Sequence, residues 1–246
     1  MAAAFRRTTR PASLWNGTKR ALKVSAGASL AAAGGWQFWF RHCYFEPFGP
    51  ETDPLFHSHW LSSFNPGNHP SLNDSCVRKV PLSRLPPELV DDADNGGSRL
   101  LERFCAGVWG GYGYAIQRNI LTYLWRSTST QESSLWDKQQ LLDNSYEEGT
   151  VITDHFVVLS KSPRAIVLRG GGSPGTLNRP GPREIDSISE ITVDIHREQG
   201  VAEFRLKNIF FNGVERKEKL FPAPVEWLHL QYCRLLVEGG VSVCVQ

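Results

Sequence analysis

Apolar positions along the chain recur with two periods, and the change from one to the other orders the elements. Between residues 98 and 125, Phe104, Val108, Tyr112, Ile116, Ile120 and Leu124 repeat every four residues, which predicts one long amphipathic helix. Arg118 and Asn119 interrupt that stripe, so it does not read as a membrane span. Residues 151–159 and 164–169 then read as two strands of a hairpin, joined by Ser-Lys-Ser-Pro. Residues 170–182, crowded with Gly and Pro, predict a flexible surface loop. In residues 188–196, Ile191, Val193 and Ile195 alternate with Thr192, Asp194 and His196, and a further strand over 201–211 follows a tight turn.

Upstream, residues 76–82 form the first strand, and Pro81 speaks against an interior sheet position at its end. A short helix follows, with Ser83 as its N-cap and Pro86 and Pro87 in its first turn. The chain closes with a helix that starts at a proline and stops at Gly239 and Gly240, with Val225, Leu228, Tyr232, Leu235 and Leu236 on one face. One strand, helices, a meander and a terminal helix together predict an α+β fold with an antiparallel sheet and helices on one side.

Charge divides the chain near residue 45. Before it stand Arg6, Arg7, Arg10, Lys19, Arg20, Lys23 and Arg41, with no Asp or Glu; after it 20 basic residues face 25 acidic ones. The later part is mildly acidic, which disfavours a nucleic-acid partner. Arg-rich, Ser/Thr-containing, acid-free composition suits a mitochondrial presequence, because a matrix-negative potential draws a cationic helix inward by about 2.3 kcal/mol per charge per 100 mV. Residues 1–23 are expected to carry that address.

Residues 24–41 form a possible transmembrane anchor, uncharged from Val24 to Phe40 and closed by Arg41. Its length is at the lower limit for crossing a bilayer. Gly27, Ala31 and Gly35 supply a small-residue stripe, and Trp36, Trp39 and Tyr44 an aromatic belt. A secretory signal peptide, which would want a more apolar centre nearer the N-terminus, another single-pass membrane location, and an Ala-rich tail with no anchoring role are the competing readings. Residues 46–74, rich in Pro, His, Asn and Ser, are expected to be an extended linker, leaving 75–246 as the folded domain.

The segments VRKVPLSRLPPEL, NSYEEGTVITDHFVV, SPRAIVLRGG, EITVDIHREQGVAEFRLKNIFF and PAPVEWLHLQYCRLL, over about residues 75–238, carry a resemblance. In their order and scattered residues they resemble the helix-grip proteins of the START and Bet v 1-like superfamily. More narrowly, they look like an uncharacterised domain family found alone and behind NAD(P)-binding modules in bacteria. The resemblance implies a curved antiparallel sheet of about five to seven strands packed on a long C-terminal helix. It further implies a domain that binds an apolar small molecule or lipid, or one that performs acid and base chemistry on such a molecule.

Candidate chemistry is sparse. The glycine cluster of residues 107–113 lacks the strand and the Lys-Ser/Thr of a phosphate loop; it reads either as close packing of a helix on the sheet or as a pocket mouth bearing Tyr112 and Tyr114. Asp154 and His155, adjacent on an expected strand, would point to opposite faces, and an inward His155 could shuttle a proton. His196 and His229 are open to the same reading. His155, Tyr112 and Tyr114 are therefore the candidate catalytic residues, and Trp109, Tyr112, Phe156, Leu228 and Tyr232 the candidate ligand contacts.

Asp53, His57, His59 and His69 invite a metal reading, but their loop supplies no framework, so no metal and no cofactor are expected. Five cysteines without a Cys-x-x-Cys pair argue for reduced thiols. The leading expectation is a membrane-tethered, mitochondrial inner-membrane protein whose soluble domain binds an apolar small molecule or lipid. A small cyclase, isomerase or dehydratase acting on a polyketide or terpenoid is the second, and an assembly factor of an inner-membrane complex the third.

Overall fold

A computed structural model describes residues 34–126, 134–171 and 180–246. They fall into two units that divide after Arg41. In the first, residues 34–39 are helical and the Arg41 guanidinium donates to the Phe38 carbonyl at 2.7 Å. The expected address at 1–23, and residues 24–33 of the candidate anchor, lie outside the described residues, as do 127–133 and 172–179. Among the described residues, no helix is long and apolar enough to cross a membrane.

The second unit is α+β. Seven strands form one antiparallel sheet: β1 (Cys43–Phe45), β2 (Ser71–Pro81), β3 (Val151–Ile152), β4 (Phe156–Lys161), β5 (Ala165–Gly170), β6 (Asp186–His196) and β7 (Val201–Phe211). Their spatial order is β1-β2-β7-β6-β5-β4-β3. Helices α1 (His59–Phe64), α2 (Pro87–Asp94), α3 (Arg99–Gly110), α4 (Tyr112–Trp125), α5 (Lys138–Leu142) and α6 (Ala223–Ser242) complete it. A long meander closed by a C-terminal helix is compatible with a helix-grip fold.

The sheet buries both faces. On one, Val80, Phe204, Ile191 and Leu168 pack against Phe104, Val108 and Val237 of the helices, with the rings of Phe104 and Phe204 edge to face at 5.0 Å. The other face carries Val167, Ile188, Ile209 and Phe211, covered by Leu55 and Phe64. Residues 46–74 are thus a folded cap rather than an extended linker. Asp53 accepts from the Leu55 N–H to start a 3-10 turn, Ser58 caps α1, and β2 already begins at Ser71. Lys207, aimed at this cap, pairs with Asp53 at 2.7 Å and Glu190 at 2.5 Å.

The predicted long helix is broken. Gly111 is extended (φ −73°, ψ −177°) and serves as the C-cap of α3 and the N-cap of α4, letting both helices lie on α6. The glycines make that approach possible: a Cβ at Gly107 would fall 2.6 Å from the Gly240 carbonyl oxygen, and one at Gly113 2.6 Å from that of Leu235. Close packing is therefore helix on helix, not helix on sheet. For the same reason α6 runs through Gly239 and Gly240 instead of stopping there.

The expected strand over 151–159 folds back on itself. Ile152 pairs with Phe156, and the His155 N–H reaches the Ile152 carbonyl at 3.0 Å around a turn whose central residues, Thr153 and Asp154, have φ of 48° and 55°. A left-handed conformation at both central positions is the type I′ arrangement, normally filled by Asn or Gly. A β-branched threonine there costs about 1–2 kcal/mol. The turn is held by its surroundings: the Thr153 N–H donates to the Leu135 carbonyl and the Asp154 N–H to Ser134 Oγ, both at 3.0 Å. Asp154 and His155 are turn residues, so the alternation argument for opposite faces does not apply to them.

A cavity between the terminal helix and the sheet

A polar row crosses the sheet where apolar residues would be the rule. Asp74 on β2 is in register with Asn208 on β7, which is in register with Ser189 on β6, and all three are buried. Ser189 Oγ donates to Asn208 Oδ1 at 2.8 Å, and Asn208 Nδ2 donates to Asp74 Oδ1 at 3.0 Å. The row orients the carboxylate and satisfies its own polar groups.

Above it, α6 presents His229 and Cys233, one helical turn apart and hence on one face. His229 Nε2 lies 2.6 Å from Asp74 Oδ2, and Cys233 Sγ lies 3.4 Å from Asp74 Oδ1 and 3.3 Å from His229 Nε2. A carboxylate only accepts, so Nε2 carries the proton in this contact. Burial, then the neighbouring Asp74 charge, push the Cys233 thiol well above its ordinary range.

His229 and Cys233 stand at the wall of a cavity of about 290 Å³. Its apolar lining includes Val108, Trp109, Phe156, Leu206 and Phe210, and its polar lining His155, Ser189, Asn208, Tyr232 and Cys233. The Tyr232 hydroxyl is buried and has no hydrogen-bond partner, while burial raises its phenol pKa and keeps it protonated. His155 Nδ1 faces the Thr153 carbonyl, which can only accept, so Nδ1 holds the proton and Nε2 is left as the basic nitrogen.

Of the residues proposed from sequence, Trp109, Phe156, Tyr232 and His155 meet at this cavity. Tyr114 does not. It is fully buried, its hydroxyl bonded to Thr153 Oγ1 at 2.5 Å, and burial pushes its pKa up, so it supports the strained turn instead of a pocket mouth. Tyr112 opens α4 and is 42% exposed outside the cavity. Leu228 lies in an outer groove between α4 and α6, with Ile116, Ile120 and Val225.

Two histidines of the cap serve structure: His57 Nε2 contacts the Pro50 carbonyl and His69 Nδ1 the Asn212 carbonyl, each at 2.8 Å. Asp74 falls at the end of the segment whose composition predicts a linker. The signal that could have exposed its partners is the four-residue spacing of His229 and Cys233 on a helix.

Comparison of the chain with family models, with curated proteins and with solved structures found no match.

Proposed function

We propose that this α+β domain binds a small, mostly apolar molecule bearing one hydrogen-bond acceptor, in the cavity under α6. The Tyr232 hydroxyl supports this reading: a buried donor without a partner costs about 1–3 kcal/mol, which an acceptor on a ligand would recover. The size limits the class. At about 290 Å³ the cavity sits at the lower edge of the roughly 300–1,000 Å³ typical of ligand pockets, enough for a ring system or short chain and too small for a two-chain lipid.

Acid and base chemistry on that molecule, of the cyclase, isomerase or dehydratase kind, is the second reading. It is favoured by His155, whose basic Nε2 belongs to a ring that lines the same cavity as Tyr232. Kinship with the helix-grip superfamily would accommodate both readings.

The basic, acid-free leader supports delivery to the mitochondrial inner membrane, with the domain tethered there if residues 24–41 are retained. A fluorescent fusion of residues 1–45 should co-localise with mitochondria; a uniform cytosolic signal would reject the address. For the ligand, native mass spectrometry of the full chain from its natural host should show an adduct of a few hundred daltons at most. Loss of that adduct in Tyr232→Phe and Trp109→Ala, with folding preserved, would support the cavity. An adduct unaffected by both, or none at all, would refute it.

A further inference from the structure

We propose that Asp74, His229 and Cys233 form a binding site for a borderline-soft divalent transition ion of the zinc class, opening on the cavity under α6. The donor set is the first reason. Thiolate sulfur, imidazole nitrogen and carboxylate oxygen are the three protein ligands zinc prefers, and no hard, all-oxygen cation would select a cysteine.

Geometry is the second reason. Among the described residues, this is the one group of three or more His, Cys, Asp or Glu side chains whose donor atoms converge, all within 4.8 Å of one another. Bond lengths of about 2.0–2.3 Å around a tetrahedral ion place its ligand atoms roughly 3.3–3.6 Å apart. The two sulfur contacts, 3.3 Å and 3.4 Å, already have that span. The third, 2.6 Å between His229 Nε2 and Asp74 Oδ2, has to open by about 0.7 Å to reach it.

Support around the ligands is the third reason. Asn208, itself held by Ser189, donates to Asp74 Oδ1 at 3.0 Å and lies 3.4 Å from Cys233 Sγ, the kind of outer contact that fixes a metal ligand's orientation. On binding, the Cys233 thiol proton leaves to solvent, the proton of a neutral His229 moves to Nδ1, and the metal takes both vacated positions. His229 and Cys233 both line the cavity, so a fourth ligand would enter from there, the chamber that Tyr232 also lines.

A Cys-His-Asp nucleophilic relay is a poorer account of the same residues. A relay needs the carboxylate on one ring nitrogen and the thiol on the other. Here both approach Nε2, and Nδ1 is 3.9 Å from the sulfur.

The test uses the full chain, stripped with a chelator and titrated with Co(II), then Zn(II). Expected are one equivalent of Co(II), visible bands of tetrahedral intensity, a near-ultraviolet thiolate-to-cobalt band, and bleaching by zinc. Cys233→Ser should abolish the thiolate band, His229→Ala should weaken affinity at least tenfold, and Cys105→Ser, away from the site, should change neither. No cobalt uptake by the wild-type chain at micromolar metal, or a thiolate band that survives Cys233→Ser, would overturn the proposal. The wild-type titration keeps the test decisive even if a variant misfolds. A chain that retains its small molecule but takes no metal would refute this inference alone. One that takes metal but holds no molecule would refute the ligand reading alone.

Discussion

Asp74 and His229, 155 positions apart in the chain, meet with Oδ2 2.6 Å from Nε2. The contact ties the second strand of the sheet to the terminal helix, and it does so beside the cavity. A buried carboxylate and an imidazole are costly to bring together in a core, so their pairing there restricts how α6 can lie. The first prediction concerns that restriction. Asp74→Ala should leave the His229 and Asn208 donors without their shared acceptor and cost about 1–3 kcal/mol, read as a loss of thermal stability. A melting temperature unchanged by Asp74→Ala would show that the cluster contributes nothing to docking α6.

Close helix packing leads to a second expectation. Gly113→Ala would set a Cβ 2.6 Å from the Leu235 carbonyl oxygen, and the backbone there can yield only by moving α6. Destabilisation of about 1–3 kcal/mol should follow. Gly49→Ala, with nothing within 4 Å of its added Cβ, should change stability by less than about 0.5 kcal/mol. Denaturant unfolding of the two variants decides the matter, and equal midpoints would contradict it.

The strained turn depends on Tyr114. Tyr114→Phe removes the hydroxyl that meets Thr153 Oγ1 at 2.5 Å and strands a fully buried threonine. The expected cost is about 1–2 kcal/mol. Because Thr153 is two residues from His155, amide exchange in residues 151–156 should also accelerate. Exchange that stays at the wild-type rate there would mean the turn is held without this bond.

A pH dependence follows from Glu203. Burial raises its pKa, but the guanidinium of Arg205 and the ammonium of Lys79, 3.3 Å away, together outweigh burial and hold the carboxyl below its ordinary 4.5. A carboxyl depressed on folding adds stability that is present above its unfolded pKa and lost as pH falls through the folded one. The melting temperature of wild type should therefore exceed that of Glu203→Gln most at neutral pH. The gap should close as the solution is acidified below about pH 4. Parallel curves from pH 7 to pH 3 would remove Glu203 from the account.

The two apolar sites around α6 make distinct predictions for a bound molecule. If the inner cavity is the site, Trp109→Ala should weaken binding by at least tenfold, while Leu228→Ala, which alters the outer groove alone, should leave it within twofold. Isothermal titration with the identified molecule distinguishes them, and the reverse order would move the site to the groove between α4 and α6.

Much of the architecture follows from local pattern. The period of two in β6, with Ile191 and Val193 buried on the helix side, and the period of four in α3 survive in the structure because each element has one dominant apolar face. The meander and terminal helix are equally direct consequences of turn residues and a proline start. Charge alone separates the basic, acid-free first 45 residues from the rest.

What the sequence could not decide was which side of an ambivalent element turns inward. Helix α6 is apolar on more than one side, and its expected face holds Val225 and Leu228, which are 46% and 61% exposed. Glycine contacts with α3 and α4 set its rotation, which buries Cys233 and brings it and His229 over the sheet. The same is true of Thr153 and Asp154, whose left-handed turn runs against residue preference and is imposed by Leu135, Ser134 and Tyr114. Periodicity reports how an element meets its surroundings on average. The cavity wall depends on a helix rotation and on contacts between residues far apart in the chain, and only the packed structure fixes those.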